Sequence, residues 1–268
     1  MDLNDCLKKI SKNTKVIMPV HLYGNLFNTY KLRKKIRKNI FIIEDSAHAF
    51  CGEYNNNPLG KFSDFTVFSF YATKSITCGE GGAIITNHKS YSDKIRSISN
   101  NGMTKPAFKR FVNNKYIPWD VYNYGFKSNL SDINASILVD QIKEYSKIAK
   151  QKKIIFKKFK KELSKIPQIF FPTEKPNKNR DYYLFPIGVK KKFRDKLIEH
   201  LLKKKIFVTV NFNSITRLNY YKKKYKKPMC PNSENWGLEQ LSLPFHVKLK
   251  DNEIKTIYLA IKEFFEKN

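Results

Sequence analysis

A lysine, a carboxylate, an imidazole and a hydroxyl lie close behind two apolar runs in the first third of this 268-residue sequence. Asp45 and His48 come just after one such run, and Ser69 and Lys74 come at the end of the next. Taken singly, each has an ordinary explanation, because Asp commonly caps a helix and one lysine among dozens is usually a surface residue. Together they form a set of groups that could hold a cofactor and act on it.

Pyridoxal phosphate (PLP) requires this combination of groups. The cofactor needs a lysine amine for a Schiff base, a carboxylate against its pyridine nitrogen, and hydroxyl or amide donors for its phosphate. Asp45 follows a buried strand and so lies at a carboxyl edge, where α/β sheets place ligands. Ser69 and Lys74 follow another strand, and they reach the same edge if the two strands are parallel. The sequence therefore predicts a PLP site in which Lys74 forms the Schiff base.

Short apolar strands that alternate with helical segments must position these residues. Strands are predicted at residues 16–20, 41–43, 65–70 and 83–86, the last after the breaker Gly79-Glu80-Gly81-Gly82, and a helix is predicted at 29–37. This alternation indicates a mostly parallel α/β sheet covered by helices on both faces. We assign residues 1–150 to this large cofactor-binding domain.

The second half of the chain predicts a small α+β domain at residues 151–268. A helix is expected at residues 131–163, where Ser131 and Asn134 resemble a weak capping arrangement. Its long, charged second part is typical of a helix that bridges two domains. Strands at 182–189 and 207–212 then alternate with helices at 192–204 and 252–266.

The net charge of +29 at pH 7 raises nucleic-acid binding as an alternative function. Two features argue against it. Nearly all the positive charge is Lys rather than Arg, the usual bidentate reader of bases and phosphates, and the lysines occur throughout the chain instead of in one stripe. No nucleic-acid partner is therefore expected, although such a surface could attract an anionic nucleotide at long range.

The cysteines and the apolar segments bear on the compartment. Four scattered cysteines without a C-x-x-C pair argue against a metal site or a disulfide framework. No stretch reaches the ~18 apolar residues that a membrane span needs. The first ten residues also lack the apolar core of a signal peptide. We therefore expect a cytoplasmic protein with reduced thiols that does not bind a membrane.

Six segments resemble, in order and spacing, the DegT–StrS family of sugar-nucleotide aminotransferases. The resemblance covers almost the whole chain. The segments are Pro19-Val20-His21-Leu22-Tyr23-Gly24, Glu44-Asp45-Ser46-Ala47-His48-Ala49, Phe68-Ser69-Phe70-Tyr71-Ala72-Thr73-Lys74, Gly79-Glu80-Gly81-Gly82, Gly125-Phe126-Lys127-Ser128-Asn129-Leu130-Ser131-Asp132-Ile133-Asn134-Ala135 and Leu241-Ser242-Leu243-Pro244.

This resemblance implies a type I PLP-transferase fold, like that of aspartate aminotransferase, in a homodimer whose active sites lie at the subunit interface. Lys74 would be the Schiff-base lysine and would carry the proton of the 1,3-shift. Asp45 would pair with the pyridine nitrogen, and His48 would lie beside the ring and its phenolic oxygen. Ser69 would bind the phosphate.

Four further positions would complete the site by resemblance. Lys127 and Asn129 match positions from which the neighbouring subunit reaches the phosphate or the substrate, although the family often has Asn and Arg there. His21 and Tyr23 could line the substrate pocket. Packing at the end of a strand is the alternative explanation for both.

The implied activity is the transfer of an amino group from glutamate to a keto-sugar bound through its nucleotide diphosphate. Some family members carry His at the Lys74 position and catalyse dehydration, so the lysine here favours amino transfer. Residues 127–135 and Asn101-Gly102-Met103 favour C4 of a UDP-linked 4-keto-hexose, with C3 enzymes as the alternative. The product would serve cell-surface polysaccharide or glycan biosynthesis.

The family's chains are longer than this sequence at the amino end. Residues 1–12 resemble the end of a helix, and the upstream Gly-Thr turn and stacking aromatic residue of the family have no counterpart here. We therefore expect an N-terminally truncated large domain. Two explanations stay open: a fragment of an intact gene, or the product of a split or decayed gene that is non-catalytic alone.

Overall fold

The computed structural model describes residues 1–104, 111–173, 180–225 and 230–268. These residues form two compact units. Unit 1 comprises Met1–Glu144 with Asn177–Asp181, and unit 2 comprises Tyr145–Pro176 with Tyr182–Asn268. Among the described residues, no helix combines the length and apolarity needed to cross a bilayer.

Unit 1 alternates short strands with helices, as the sequence predicts. Its described elements, in chain order, are α1 (Leu3–Lys8), β1 (Val16–Ile17), α2 (Thr29–Lys35), β2 (Phe41–Asp45), β3 (Glu53–Tyr54), β4 (Asn57–Pro58), β5 (Phe65–Ser69), β6 (Gly82–Ile85), α3 (Lys89–Ile98), β7 (Phe111–Val112), β8 (Lys115–Tyr116) and the first part of α4 (Asp132–Leu163).

The main sheet of unit 1 has the strand order β1-β2-β5-β6. Strand β2 is parallel to β1 and to β5, and Asp45 lies opposite Val67 of β5. This pairing confirms the parallel arrangement on which the predicted site depends. Strand β6 is antiparallel to β5, because the connection after β5 folds straight back: the amide of Phe70 donates to the carbonyl of Gly81 at 2.8 Å.

Helices cover both faces of this sheet. Ile42 of β2 is fully buried in a cluster with Ile17 and Leu32, against which residues of α1 also pack. Its neighbour Phe41 points to the other face, since successive strand residues alternate. There its ring lies 5.8 Å from the ring of Tyr91 in α3. The predicted mostly parallel sheet with helices on both faces is confirmed.

Unit 2 is a three-stranded antiparallel sheet with helices around it. It contains the rest of α4, then β9 (Ile169–Phe170), β10 (Phe185–Val189), α5 (Lys191–Lys203), α6 (Asn219–Lys224), α7 (Pro231–Glu239), β11 (Gln240–Leu243) and α8 (Asp251–Glu266). The strand order is β11-β10-β9. Every residue of β10 is buried, and the ring of Phe185 lies 4.6 Å from that of Phe159 in α4.

The predicted helix at 131–163 is confirmed as a single helix of 32 residues. Its start follows the expected capping arrangement, because Ser131 Oγ accepts a hydrogen bond from the amide of Asn134 at 3.2 Å. The unit boundary lies within this helix, after Glu144.

Two strand predictions in unit 2 need correction. The strand predicted at 182–189 begins only at Phe185. The strand predicted at 207–212 is wrong: only Thr209 pairs there, in a single bridge with Ser242 at the outer edge of β11. Phe207 and Phe212 are 73% and 55% exposed, so these two rings do not pack into the core, whereas Val208 between them does contact it.

Candidate functional site

The end of β2 sets the positions of Asp45 and His48. A parallel bridge to Val20 continues the sheet as far as Asp45. Asp45 Oδ1 then accepts a hydrogen bond from the amide of Ala47 at 3.0 Å, which turns the chain sharply. His48 follows this turn and is only 8% exposed, and its Nδ1 accepts from the amide of Tyr23 at 3.4 Å.

The electrostatics of His48 show that three of the predicted residues share one neighbourhood. Burial lowers the pKa of His48 to about 4, with the positive charge of Lys74 as the second cause and the negative charge of Asp45 acting against it. Both side chains therefore lie within electrostatic reach of the imidazole. With a pKa of about 4, His48 is neutral at physiological pH.

Lys74 lies in a loop that is held by a hydrogen bond within the loop and by hydrogen bonds to α4. Its amide donates to the carbonyl of Tyr71 at 2.9 Å. Gln141 of α4 uses both ends of its side-chain amide on Thr77: Oε1 accepts from the Thr77 amide at 2.8 Å, and Nε2 donates to the Thr77 carbonyl at 2.6 Å. The loop is therefore held on both sides of Lys74, whose side chain is half-buried.

Ser69 is the last residue of β5 and begins this loop. It is half-buried, it pairs with Gly82 of β6, and its Oγ accepts a hydrogen bond from the amide of Tyr71 at 3.4 Å. Because β2 and β5 are parallel, Ser69 and Lys74 lie at the sheet edge where β2 ends at Asp45. The structure thus brings Asp45, His48, Ser69 and Lys74 to one edge.

Lys127 and Asn129 lie elsewhere in the chain, in an exposed segment that precedes α4. Lys127 forms an antiparallel bridge with Asn100. Asn129 lines an open groove along β6, together with Ile84 and Arg96. A role for these two residues at the cofactor stays a prediction.

Glu44 is a buried carboxylate to which the sequence analysis gave no role. It is buried and accepts hydrogen bonds from four donors, which are Thr29 Oγ1, the Gly60 amide (2.8 Å), Ser63 Oγ (2.9 Å) and Thr66 Oγ1 (3.0 Å). Strand alternation could have found it: if Asp45 faces a ligand on one side of the sheet, Glu44 must face the other. Gln141 carries no comparable signal in the sequence.

His21 lies beside the Glu44 carboxylate inside the core. Its exposed fraction is 0%, its Nε2 is 3.5 Å from Glu44 Oε1, and its Nδ1 accepts from the amide of Phe27 at 3.0 Å. Burial would raise the pKa of Glu44, but His21, with Thr29 and Gly60, more than offsets this and lowers it to about 2. This geometry matches the packing alternative for His21, which has no exposed surface with which to contact a substrate.

Tyr23 meets the candidate site through its backbone. The residue is 3% exposed and has a φ of 59°, and its amide points to His48 Nδ1. Gly24 follows with a φ of 80°. Two consecutive left-handed residues turn the chain sharply here, and a glycine at the second position avoids the steric cost.

The chain matches a known family along almost its full length. The model of the DegT/DnrJ/EryC1/StrS aminotransferase family matches residues 1–262. GDP-perosamine synthase of Escherichia coli O157:H7 is 30% identical over 268 residues, which span 99% of this chain and 70% of that protein. Spore coat polysaccharide biosynthesis protein SpsC of Bacillus subtilis is 29% identical over 262 residues, 95% of this chain and 67% of that protein.

A solved structure gives the same fold. The PLP form of Spr1654 from Streptococcus pneumoniae superposes with a TM-score of 0.86 and 25% identity. The likeness covers 100% of this chain and 72% of that one.

Substitution of the buried carboxylate tests its role in the sheet. Glu44→Gln is expected to lower the free energy of unfolding by about 3 kcal/mol at neutral pH, because the network loses its negative charge and one of its two acceptor oxygens becomes an NH2 donor. The contribution of Glu44 should be present above its ordinary pKa of 4.5 and should fall away as the pH drops towards about 2. Urea unfolding followed by circular dichroism across this range measures both effects.

The matched control is Glu144→Gln, at an exposed position of the same unit, which should change stability by less than about 0.5 kcal/mol. Equal stability of wild type and Glu44→Gln at neutral pH would contradict the assignment.

The pKa of His48 tests the grouping of the site residues. Nuclear magnetic resonance of the imidazole carbons, assigned with His48→Gln, should give a pKa of about 4. Lys74→Met should raise this pKa and Asp45→Asn should lower it further, since the two charges act in opposite directions. Lys61→Met, a surface lysine bonded to Asn57, should leave it unchanged. A wild-type pKa near the ordinary 6.5 would rule out the arrangement.

Proposed function

Since the chain belongs to the DegT/DnrJ/EryC1/StrS aminotransferase family, we propose that it transfers an amino group from glutamate to a keto-sugar linked to a nucleoside diphosphate. The chain is a PLP-dependent sugar aminotransferase by family membership, and the likeness to SpsC and to GDP-perosamine synthase extends this to polysaccharide biosynthesis. The observation that carries the assignment of the site is the shared neighbourhood of Lys74, Asp45 and His48 at one sheet edge.

The residues at this edge fit the chemistry of PLP. Asp45 supplies the negative charge that keeps a proton on a pyridine nitrogen. Ser69, at the end of β5, supplies a hydroxyl for the phosphate. His48 is neutral because it is buried, so it can exchange a hydrogen bond without adding a second positive charge beside Lys74. When bound, PLP supplies an electron sink for the carbon next to the transferred nitrogen.

Lys74 would have two tasks in this function. Its amine attaches the cofactor covalently in the resting enzyme. The same amine, kept in position by its loop, would also carry the proton that the amino transfer requires. The double hydrogen bond from Gln141 to Thr77 supports this role, because a proton carrier must keep its position after it is released.

For the acceptor, we favour C4 of a UDP-linked 4-keto-hexose, used for cell-surface polysaccharide or glycan. The net charge of +29 supports an anionic nucleotide substrate, since a basic surface raises its local concentration. We place the reaction in the cytoplasm. The four cysteines are free thiols, which is consistent with a reducing compartment.

We further propose that the active form is a homodimer with shared sites. Between residues 111 and 142 many large apolar side chains are exposed, among them Tyr122 (76%), Tyr124 (83%) and Ile133 (76%). Large exposed apolar side chains, where they form one patch, mark interaction sites. Lys127 and Asn129 are exposed within the same stretch. If a second copy docks on this surface, both residues would contact that copy and could reach its active site.

Covalent trapping tests the assignment of Lys74. After incubation with PLP and reduction by borohydride, mass spectrometry should find the cofactor on the peptide that contains Lys74. Lys74→Ala should lose this adduct, because the amine proposed to form the Schiff base is removed, whereas the surface control Lys61→Ala should keep it. Retention of the site-specific adduct in Lys74→Ala would disprove the role.

The amino transfer itself has a separate readout in the same preparation. Glutamate added before borohydride should abolish trapping and release 2-oxoglutarate. Without borohydride, a UDP-4-keto-hexose added next should yield a 4-amino sugar, identified by nuclear magnetic resonance. A GDP-linked 4-keto-sugar and a 3-keto-sugar serve as comparison substrates. Turnover of either in preference to the UDP-4-keto-hexose would overturn the proposed acceptor and leave the amino transfer standing.

Hybrid dimers test the shared sites. Lys74→Ala and Lys127→Ala should each be nearly inactive alone. Random mixing of the two by joint refolding should restore about a quarter of wild-type activity, because half the dimers are hybrids with one intact site of two. A mixture that stays at the level of its parents would show that Lys127 does not act across the dimer.

A further inference from the structure

A buried carboxylate far along the chain joins the loops that carry the candidate site. Asp181 is 1% exposed. Its Oδ1 accepts a hydrogen bond from Ser75 Oγ at 2.8 Å, and its Oδ2 accepts from the amide of Phe50 at 3.1 Å. Ser75 is the residue after Lys74, and Phe50 is two residues after His48. One carboxylate thus holds both loops, with one oxygen for each.

Phe50, whose amide is bonded to Asp181 Oδ2, also packs against the sheet through its ring. The ring of Phe50 lies edge to face against Phe68, at 5.8 Å, and against Phe70, at 5.9 Å. Phe68 belongs to β5, and Phe70 follows Ser69 near the start of the loop that contains Lys74. The ring of Phe50 therefore joins the end of the His48 loop to the start of the Lys74 loop. Asp181 holds the amide of this same residue and, through Ser75, the Lys74 loop just beyond Lys74.

A third loop lies against the backbone of the same residue. A Cβ atom at Gly24 would be 1.6 Å from the carbonyl oxygen of Asp181, so only glycine permits this approach. Arg180 Nη2 donates to the carbonyl of Tyr23 at 3.5 Å. Since the amide of Tyr23 points to His48 Nδ1, this contact also acts on the candidate site.

These contacts lead to an inference that rests on the proposed role of Lys74. We propose that Asp181 is a positioning residue, which holds the Lys74 loop and the His48 loop in register so that the lysine amine faces the cofactor site. The carboxylate is suited to this task because both its oxygens accept charge-assisted hydrogen bonds from donors on different loops. Its negative charge also contributes to the raised pKa of Cys51, after burial of that thiol.

Hydrogen exchange of the cofactor-free protein tests the contacts directly. Asp181→Ala should speed exchange of the amides of Phe50 and of residues 74–78 by at least about tenfold, with β2 amides unchanged, because only the loops lose an acceptor. Ser75→Ala should speed exchange of the Lys74 amide by a similar factor and leave the Phe50 amide protected. Asp93→Asn, at an exposed ion pair with Lys89, is the control and should change neither loop.

The rate at which Lys74 captures PLP tests the positioning role. Borohydride trapping at timed intervals should show capture about tenfold slower in both Asp181→Ala and Ser75→Ala. In turnover, Ser75→Ala should lower kcat with little change in the KM for the keto-sugar, since it displaces the lysine and not the substrate contacts. Ser75→Ala keeps the test valid if Asp181→Ala does not fold, because it removes a single hydroxyl.

The possible results separate this inference from the proposed function. If Asp181→Ala speeds hydrogen exchange equally in β2 and in the loops, Asp181 stabilises the fold in general and the positioning role is wrong. If exchange does not change at all, Asp181 holds neither loop and the role is wrong as well. Capture at the wild-type rate despite faster loop exchange would also overturn it and leave the proposed function intact. If wild type itself attaches no PLP at Lys74, the proposed function fails, and the positioning role falls with it.

Discussion

One buried negative charge organises the sheet edge on which the chemistry depends. The carboxylate of Glu44 receives hydrogen bonds from the start of α2, from the turn at Gly60 and from β5. A carboxylate away from water is costly unless its oxygens are fully hydrogen-bonded, so these segments must converge on it. Because Glu44 and Asp45 are consecutive in β2, this convergence also fixes the direction of Asp45, which turns to the opposite face.

Much of this organisation could be predicted from local patterns. Short apolar runs identified β1, β2 and β5, and helical spacing with a capping serine identified α4. The parallel pairing of β2 with β5 could only be assumed from the alternation of strands and helices. That pairing brings Asp45 to the same edge as Ser69 and Lys74, so the grouping of the site was predictable to the extent that the sheet was.

The rest depends on contacts that leave no local trace. Gln141 and Asp181 act through single side chains across long separations, and nothing in their own segments distinguishes them. A short apolar strand after a glycine turn looks the same in either direction, which is why the antiparallel pairing of β6 was missed. His21 was ambiguous for a related reason: a histidine at a strand end can face a pocket or a buried acid, and only the donors around Glu44 decide which.

The distance along the chain from Asp181 to the loops it holds also affects how the protein is made. Ser75 and Phe50 precede Asp181 by 106 and 131 residues. At roughly 5–20 residues per second, the ribosome needs about 5 to 20 seconds to travel from Ser75 to Asp181. During that interval β1, β2 and β5 are already available to pair, whereas the loop with Lys74 lacks one of its anchors. The nascent chain can therefore complete its sheet well before its catalytic loop settles.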